Sequence, residues 1–382
     1  MPEKEKEYIR RVELQVTLEG KDITRDLAPY LISFSYGDNR SGEADSIMLT
    51  LEDRDGLWRG DWCPKRNSTI EATIALLDWE KAGNTKSLKC GTFEIDELEA
   101  TQGTFTIKAV SAPVTAGGRR EKETRTWEKA YLKTIAQDVA AKSALELRYT
   151  APENPYFGRI DQKQESSLEF LARIVHKAGL AIKIVNGAIA IYNEVDAEKE
   201  EASFSVDRTG GSILSWRFRT QSVDTYKSCE VTYFDSKTKQ TFRGTAKASG
   251  EDDPSGQVLR ISNERVESDA EALTLAEKKL RDFNKREVTG SLTCVGDPRM
   301  LDGVVFAVTG FGTFDGKYRI AKSTHTVNGG GYTSAVDLES GPPTVRQGGK
   351  GERKAAKQKK KADENADIYA IIEENMKKDG KL

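Results

Sequence analysis

FDGKYRIAKSTHTVNGGGYTSAVDLE, residues 314–339, decides how the chain is read. It holds His325, one of only two histidines in the sequence, together with Asp315-Gly316 and a triple glycine, Gly329 to Gly331. A catalytic histidine needs partners within reach, and with only two histidines and no local carboxylate or thiol motif a nucleophile–base pair is poorly supported. The alternative is a hairpin. Tyr332, Ser334, Val336 and Leu338 fall on one side of a period-two pattern, the signature of a half-buried strand. Alternation is muddled from Lys322 to Thr326, which a bulge would explain, as would burial of both faces at a subunit contact. His325 is therefore expected in a strand of a final hairpin, and the segment is read as scaffold.

Working outward, residues 288–339 read as a meander with turns at Asp297-Pro298, Asp315-Gly316 and Asn328 to Gly331. A helix precedes it. Ser268 and Glu271 have capping-box spacing, and Leu273, Ala276, Leu280 and Phe283 form its stripe. Ile213–Phe218 and Cys229–Tyr233 look like further strands, while 235–265, with Gly250 to Gly256, reads as loop plus weak strand. At the other end, alternating apolar sets are centred on Leu14, Phe34, Leu49, Ile74, Phe93 and Phe105. Turn chemistry separates them at Gly37-Asp38-Asn39, Asp55-Gly56, Gly83-Asn84 and Gln102-Gly103, as in a small barrel or sandwich.

Between these β-rich blocks the periodicity changes after Ala116 to Arg120. Trp127, Tyr131, Ile135 and Val139 recur at four-residue spacing and predict a helix. A second helix begins at the Ser166/Glu169 capping box, carries Leu168, Leu171, Val175 and Ala178, and stops at Gly179. AIKIVNGAIAIYN then predicts a tight hairpin around Asn186-Gly187. The fold class expected is a β-rich α+β chain: two tube-type β-barrel domains flanking a small α+β domain, with a flexible basic tail. The domains expected are 1–115 (first barrel), 116–205 (α+β), 206–340 (second barrel with inserted loop and helix) and 341–382 (basic linker and short amphipathic helix). RQGGKGERKAAKQKKK, residues 346–361, has no large apolar side chain and cannot build a core. Ile368, Ile371, Ile372 and Met376 share one face of a short helix that needs a docking surface. The lysines serve either as a solvated linker or as an electrostatic contact for an acidic protein surface or nucleic acid.

Composition excludes several classes. The 382 residues are 37% apolar and 31% charged, with a net charge of −2, which disfavours a chain built to coat nucleic acid. No apolar run approaches the ~20 residues of a membrane span, and MPEKEKEYIRR is not a secretory signal. Cys63, Cys90, Cys229 and Cys294 lie far apart without metal-ligand spacing, so buried reduced thiols are expected. His176 falls at the margin of its helix stripe and reads as a solvated boundary residue. Gly310-Phe311-Gly312 with Gly316-Lys317 is not a phosphate loop, because a strand–turn–strand context offers no helix N-terminus. Asp53 and Asp55 lack the EF-hand spacing and fit a turn. No catalytic, cofactor-binding or metal-binding residue is assigned, and no cofactor is called for.

ESSLEFLARIVHKAGLAIKIVNGAIAIYN (165–193) and SDAEALTLAEKKLRDFNKREVTGSLTCVGDPRMLDGVVFAVTGFGTFDGKYRIAKSTHTVNGGGYTSAVDLE (268–339) together resemble the phage late-control D family. The N-terminal DIT…L…SF…ADSIMLTLED pattern is similar too, so the resemblance covers most of 8–340. It implies the hub of a contractile-tail baseplate, related to the hub part of type VI secretion spike proteins. Such a hub is a homotrimer whose six barrels adapt a hexameric tail tube to a trimeric central spike. The implied partners are a second and third copy, the tail tube protein, the spike and baseplate wedge proteins, with no membrane. The implied location is a phage virion tail or a bacteriocin particle, made in the bacterial host cytoplasm. Unlike the type VI relatives, this chain ends in a basic linker rather than a spike. The competing readings are a cell-wall-degrading tail enzyme with a paired-carboxylate site, which leaves no fixed spacing, and an all-β binding module.

Overall fold

The computed structural model describes residues 9–79, 81–111, 121–185, 187–193, 202–221, 225–236, 238–248, 257–262, 264–266 and 268–340. The expected boundary at Ala116 to Arg120, Asn186, Gly250 to Gly256 and the whole 341–382 tail lie outside these residues.

The first block is β1 (Arg11–Leu18), β2 (Lys21–Asp22), α1 (Thr24–Leu27), β3 (Leu31–Asp38), β4 (Ser46–Glu52), β5 (Thr69–Leu77), β6 (Thr85–Thr101) and β7 (Thr104–Val110). Alternation sends Leu14, Val16, Phe34, Tyr36, Ile47, Leu49, Ile70, Ile74, Phe93 and Ile107 into one core. Each fully buried side chain of this size contributes roughly 1.5–3 kcal/mol. Gly37 and Asp38, expected in a turn, instead complete β3.

The middle block is β8 (Glu123–Tyr131), α2 (Leu132–Lys142), β9 (Glu146–Tyr149), β10 (Tyr156–Glu165), α3 (Ser167–Lys177), β11 (Ala181–Val185) and β12 (Ala188–Tyr192). Trp127 and Tyr131 lie on β8 and not on a helix, which starts only at Leu132. A spacing of four satisfies the strand period as well as the helical one, so the stripe ran across two elements. Trp127 stacks on Phe170 with ring centroids 4.7 Å apart, tying the β8–β10 ribbon to α3. The α3 capping box is complete: Glu169 N–H donates to Ser166 Oγ at 3.2 Å, and Ser166 N–H to Glu169 Oε2 at 2.9 Å. Gly179 takes the left-handed stop at φ +80°.

The last block is β13 (Ser205–Asp207), β14 (Ile213–Thr220), β15 (Ser228–Asp235), β16 (Gln240–Lys247), β17 (Val258–Ile261), α4 (Asp269–Asn284), β18 (Val288–Val295), β19 (Val305–Thr309), β20 (Gly316–Asn328) and β21 (Gly331–Ser340). Cys229–Tyr233 does not join the second barrel. β15 pairs with β16 and β17 in a separate three-stranded sheet. That sheet packs on α4 around Cys229, Val231, Ala272 and Leu275. The stretch expected as loop and weak strand thus holds two ladder strands. Their side chains alternate too little with apolar residues to show it. Ser268 Oγ accepts from Glu271 N–H at 3.1 Å, as its cap spacing predicts.

One 13-stranded sheet runs through both barrels in the order β14-β18-β21-β20-β3-β4-β7-β6-β5-β1-β2, with β19 and β13 branching from β20. β20 belongs to both. Its first half pairs with β19, its second half pairs with β3, and β21 follows it throughout. The register shifts between Ile320 and Lys322. A one-residue bulge exchanges the faces of everything beyond it. Tyr318 and Ile320 accordingly enter the second core, with Leu292, Phe306 and Leu338. Beyond the bulge Val327 enters the first core, beside Phe34 and Tyr332. The muddled alternation is therefore a bulge, and its two-sided burial comes from the chain's own other barrel. Asp315-Gly316 is not the preceding turn: the left-handed positions are Gly310 (φ +84°) and Gly312 (φ +71°), and Gly316 opens the strand.

Candidate functional site

The places where chemistry-bearing side chains converge are the seams between blocks. His325 lies on the bulged half of β20, fully buried between the two apolar cores. Its Nε2 is 3.0 Å from the Met300 carbonyl oxygen, which can only accept, so Nε2 carries the hydrogen. Nδ1 then accepts from the Tyr332 hydroxyl at 2.7 Å. The ring stacks between Tyr36 and Tyr332, each 5.9 Å away. Burial depresses its pKa to about 4, keeping the imidazole neutral. A neutral ring with both nitrogens engaged is a structural strut, in keeping with the scaffold reading of this segment. Gly296 makes room for it: a Cβ there would lie 1.9 Å from the Tyr332 ring, and Trp79 Nε1 donates to the Gly296 carbonyl at 2.9 Å.

The second convergence was not foreseen. Asp38 at the end of β3, Asp45 before β4, Lys183 in β11, Asp302 before β19 and Arg319 in β20 bring three blocks to one buried cluster. Lys183 Nζ ion-pairs with Asp38 and lies 3.7 Å from Asp45 Oδ1 and 3.6 Å from Asp302 Oδ2. Arg319 stands 3.6 Å from Asp302 Oδ1, and Asp302 N–H donates to Asp38 Oδ2 at 2.7 Å. Three carboxyls face two cations. Desolvation, only partly opposed by Lys183, raises the Asp45 carboxyl to about 8. Protonated Asp45 removes the excess negative charge from a buried site. The sequence held a signal: Lys183 interrupts an all-apolar strand, and Asp38 continues the inward series Phe34, Tyr36.

The loop from Asn39 to Asp45 docks the first barrel on the middle block. Gly42 N–H donates to the Ile182 carbonyl at 2.8 Å, and Ser41 Oγ accepts from Ile182 N–H at 2.9 Å. His176 is not a solvated boundary residue. Its Nε2 lies 3.3 Å from Ser41 Oγ, and a Cβ on Gly42 would come within 2.6 Å of its ring.

Opposite the cores, the shared sheet turns an unbroken face outward. One row of paired residues reads Ser215, Thr293, Ala335, Thr324, Gly37, Ser46 and Val110, crossing seven strands and both barrels. The next reads Val295, Thr333, Thr326, Ser35, Met48 and Lys108. Side chains are short and mostly hydroxylated, unlike the long charged residues usual on a solvated sheet face. These two rows make a smooth strip, while charge on the same face gathers in the row Arg217, Ser291, Asp337 and Lys322 and around Lys108, Glu97 and Glu99.

The remaining candidates are local. Asp53 is buried and accepts from Trp58 N–H at 2.9 Å and from Arg59 Nη1 at 3.1 Å, which organises the loop after β4. Cys90, Cys229 and Cys294 are buried, but Cys63 is exposed in that same loop, contrary to expectation. Among the described residues no His, Cys, Asp or Glu group is arranged to hold a metal ion, and no helix is long and apolar enough to cross a membrane.

No protein-family model matches the chain. Two curated proteins do, each described as a probable baseplate hub protein. That of Escherichia phage P2 is 31% identical over 179 residues, 45% of this chain and 43% of its own length. That of Escherichia phage 186 is 28% identical over 179 residues, 46% of this chain and 43% of its own. The chain thus matches less than half the length of these relatives. In fold it is similar to the 43 kDa tail protein of prophage MuSo2 from Shewanella oneidensis, with a TM-score of 0.64 at 16% identity over 86% of this chain and 98% of that one. A type VI secretion component from E. coli, described as structurally similar to T4 phage tail proteins, gives 0.53 at 10% identity over 89% of this chain and 78% of that one. The resemblance read from residues 8–340 is borne out: this chain is similar in sequence to phage baseplate hub proteins and has the β-rich fold of phage tail proteins.

Proposed function

We propose that the chain is the non-enzymatic structural hub of a contractile phage tail or a phage-tail-like bacteriocin. Three copies form a ring that joins a hexameric tail tube to a trimeric central spike, with wedge proteins around it. The observation that carries this reading is the single hydrogen-bonded face crossing two barrels of one chain. Two fused barrels per copy, three copies per ring, present six similar units to the tube and true threefold symmetry to the spike. In this reading residues 1–115 and 206–340 supply the ring, 116–205 braces it from outside, and 341–382 reaches toward acidic surfaces of a neighbour.

The test is reconstitution. Purified chain, mixed with its tube and spike proteins, is expected to give a particle with three hub copies per spike trimer by light scattering and electron microscopy. A strict monomer that binds neither protein and releases fragments from peptidoglycan would overturn the proposal in favour of a cell-wall enzyme.

A further inference from the structure

The smooth outward face ends at two strand edges. At one end is β14, eight residues whose only ladder partner is β18 among the described residues. At the other is the Glu97–Thr101 stretch of β6, which pairs only with β7 among the described residues, because β5 leaves β6 at Glu94. The two edges differ in charge. β14 presents Arg217 and Arg219, both exposed, beside exposed Leu214 (58%) and Trp216 (48%). β6 presents Glu97 and Glu99, which among the described residues share Lys108 at 2.9 and 3.4 Å, two carboxylates to one cation. A long edge strand with exposed apolar side chains is a template for pairing with another chain, and monomeric proteins normally cover or blunt it. Among the described residues no strand, helix or proline covers the free edge of β14, and its guards are a bulge at Ile213/Ser215 and the two arginines, which favour an acidic partner edge over a random one.

We propose that β14 of one copy docks along the Glu97–Thr101 edge of β6 in the next copy, with Arg217 and Arg219 facing Glu97 and Glu99. The occupant is a second copy of this chain, because the complementary edges sit at opposite ends of the same face. Joining them continues that face from molecule to molecule. The contact is head-to-tail, so it closes into a ring when the rotation permits. The proposal rests on the hub reading and assigns its self-association to named strands.

Light scattering of the full chain over a range of concentrations and salt tests it. The wild-type chain is expected to form a closed homo-oligomer. Arg217→Glu with Arg219→Glu should raise its dissociation constant at least tenfold, and adding Glu97→Arg with Glu99→Arg to the same chain should restore association. Rescue by the swap excludes misfolding as the cause of the loss. A wild-type oligomer that ignores the reversal would overturn the edge assignment and leave the hub reading standing. A wild-type chain that stays monomeric at every concentration would overturn both.

Discussion

His325 and Lys183 are two buried polar centres in one protein, and the molecule neutralises them by different means. His325 is uncharged: its nitrogens meet one acceptor and one donor, and burial holds its pKa at about 4. Lys183 sits among three carboxyls and reaches neutrality only because Arg319 helps and Asp45 holds a proton. The first device holds its ring by hydrogen bonds within the last block and meets the first barrel through the stack on Tyr36. The second joins three blocks through charge, and its balance depends on the proton concentration. Their pH responses should run in opposite directions. His325 has a folded pKa below its ordinary value, so the unfolded chain binds more protons between pH 4 and 6.5, and stability is lost as pH falls through that window. Asp45 has a folded pKa above its ordinary value, so the folded chain holds the extra proton, and stability is lost as pH rises from about 4 to about 8.

The largest expected effect breaks the charged centre. Lys183→Met leaves the carboxyls without their central cation and should cost about 3–5 kcal/mol in chemical denaturation. Asp38→Asn in the same chain should recover part of that loss. His325→Phe deprives Tyr332 and Met300 of their partner and should cost ~1–3 kcal/mol; it also removes the compensation for Asp45, so the variant should lose stability as pH rises from about 4 to 6.5, where the wild type is nearly flat. Asp45→Asn is subtler. The wild-type chain should lose about 1.4 kcal/mol per pH unit between pH 6.5 and 8, where His325 no longer compensates, and the variant should be flat there. If denaturation midpoints of both proteins fall in parallel, Asp45 is not the proton holder. The smallest effect provides a scale from outside both centres: Ser166→Ala, which removes one half of the α3 capping box, should cost about 1 kcal/mol and lower the melting temperature slightly.

How much of this was legible follows from which forces are local. Strands with one buried face announce themselves by period two, and the α3 cap by two residues three apart. β8 was misread because i and i+4 fit both periods. β16 and β17 were foreshadowed only as weak strand, because a small sheet covered on one face by α4 needs few apolar residues. The junction cluster was invisible as a cluster, since residues 38, 45, 183, 302 and 319 meet only in space. Its single trace was a lysine inside AIKIV. The broken alternation at Lys322 to Thr326 was the most informative irregularity in the sequence, and its cause, a bulge, lay within reach of a local reading. Its partner strand did not.

That partnership has a consequence for how the protein is made. β3 is complete by Asp38, yet the strand that flanks it, Ser323–Asn328, leaves the ribosome only after almost every other residue described here. The first barrel is translated first and sealed last. Through most of synthesis its β3 edge stays open, and contacts so distant along the chain form slowly. A nascent chain therefore cannot present the continuous outer face until β20 and β21 have been translated. Truncation before residue 316 removes β20 and β21, and with them the strands that flank β3, β18 and β19.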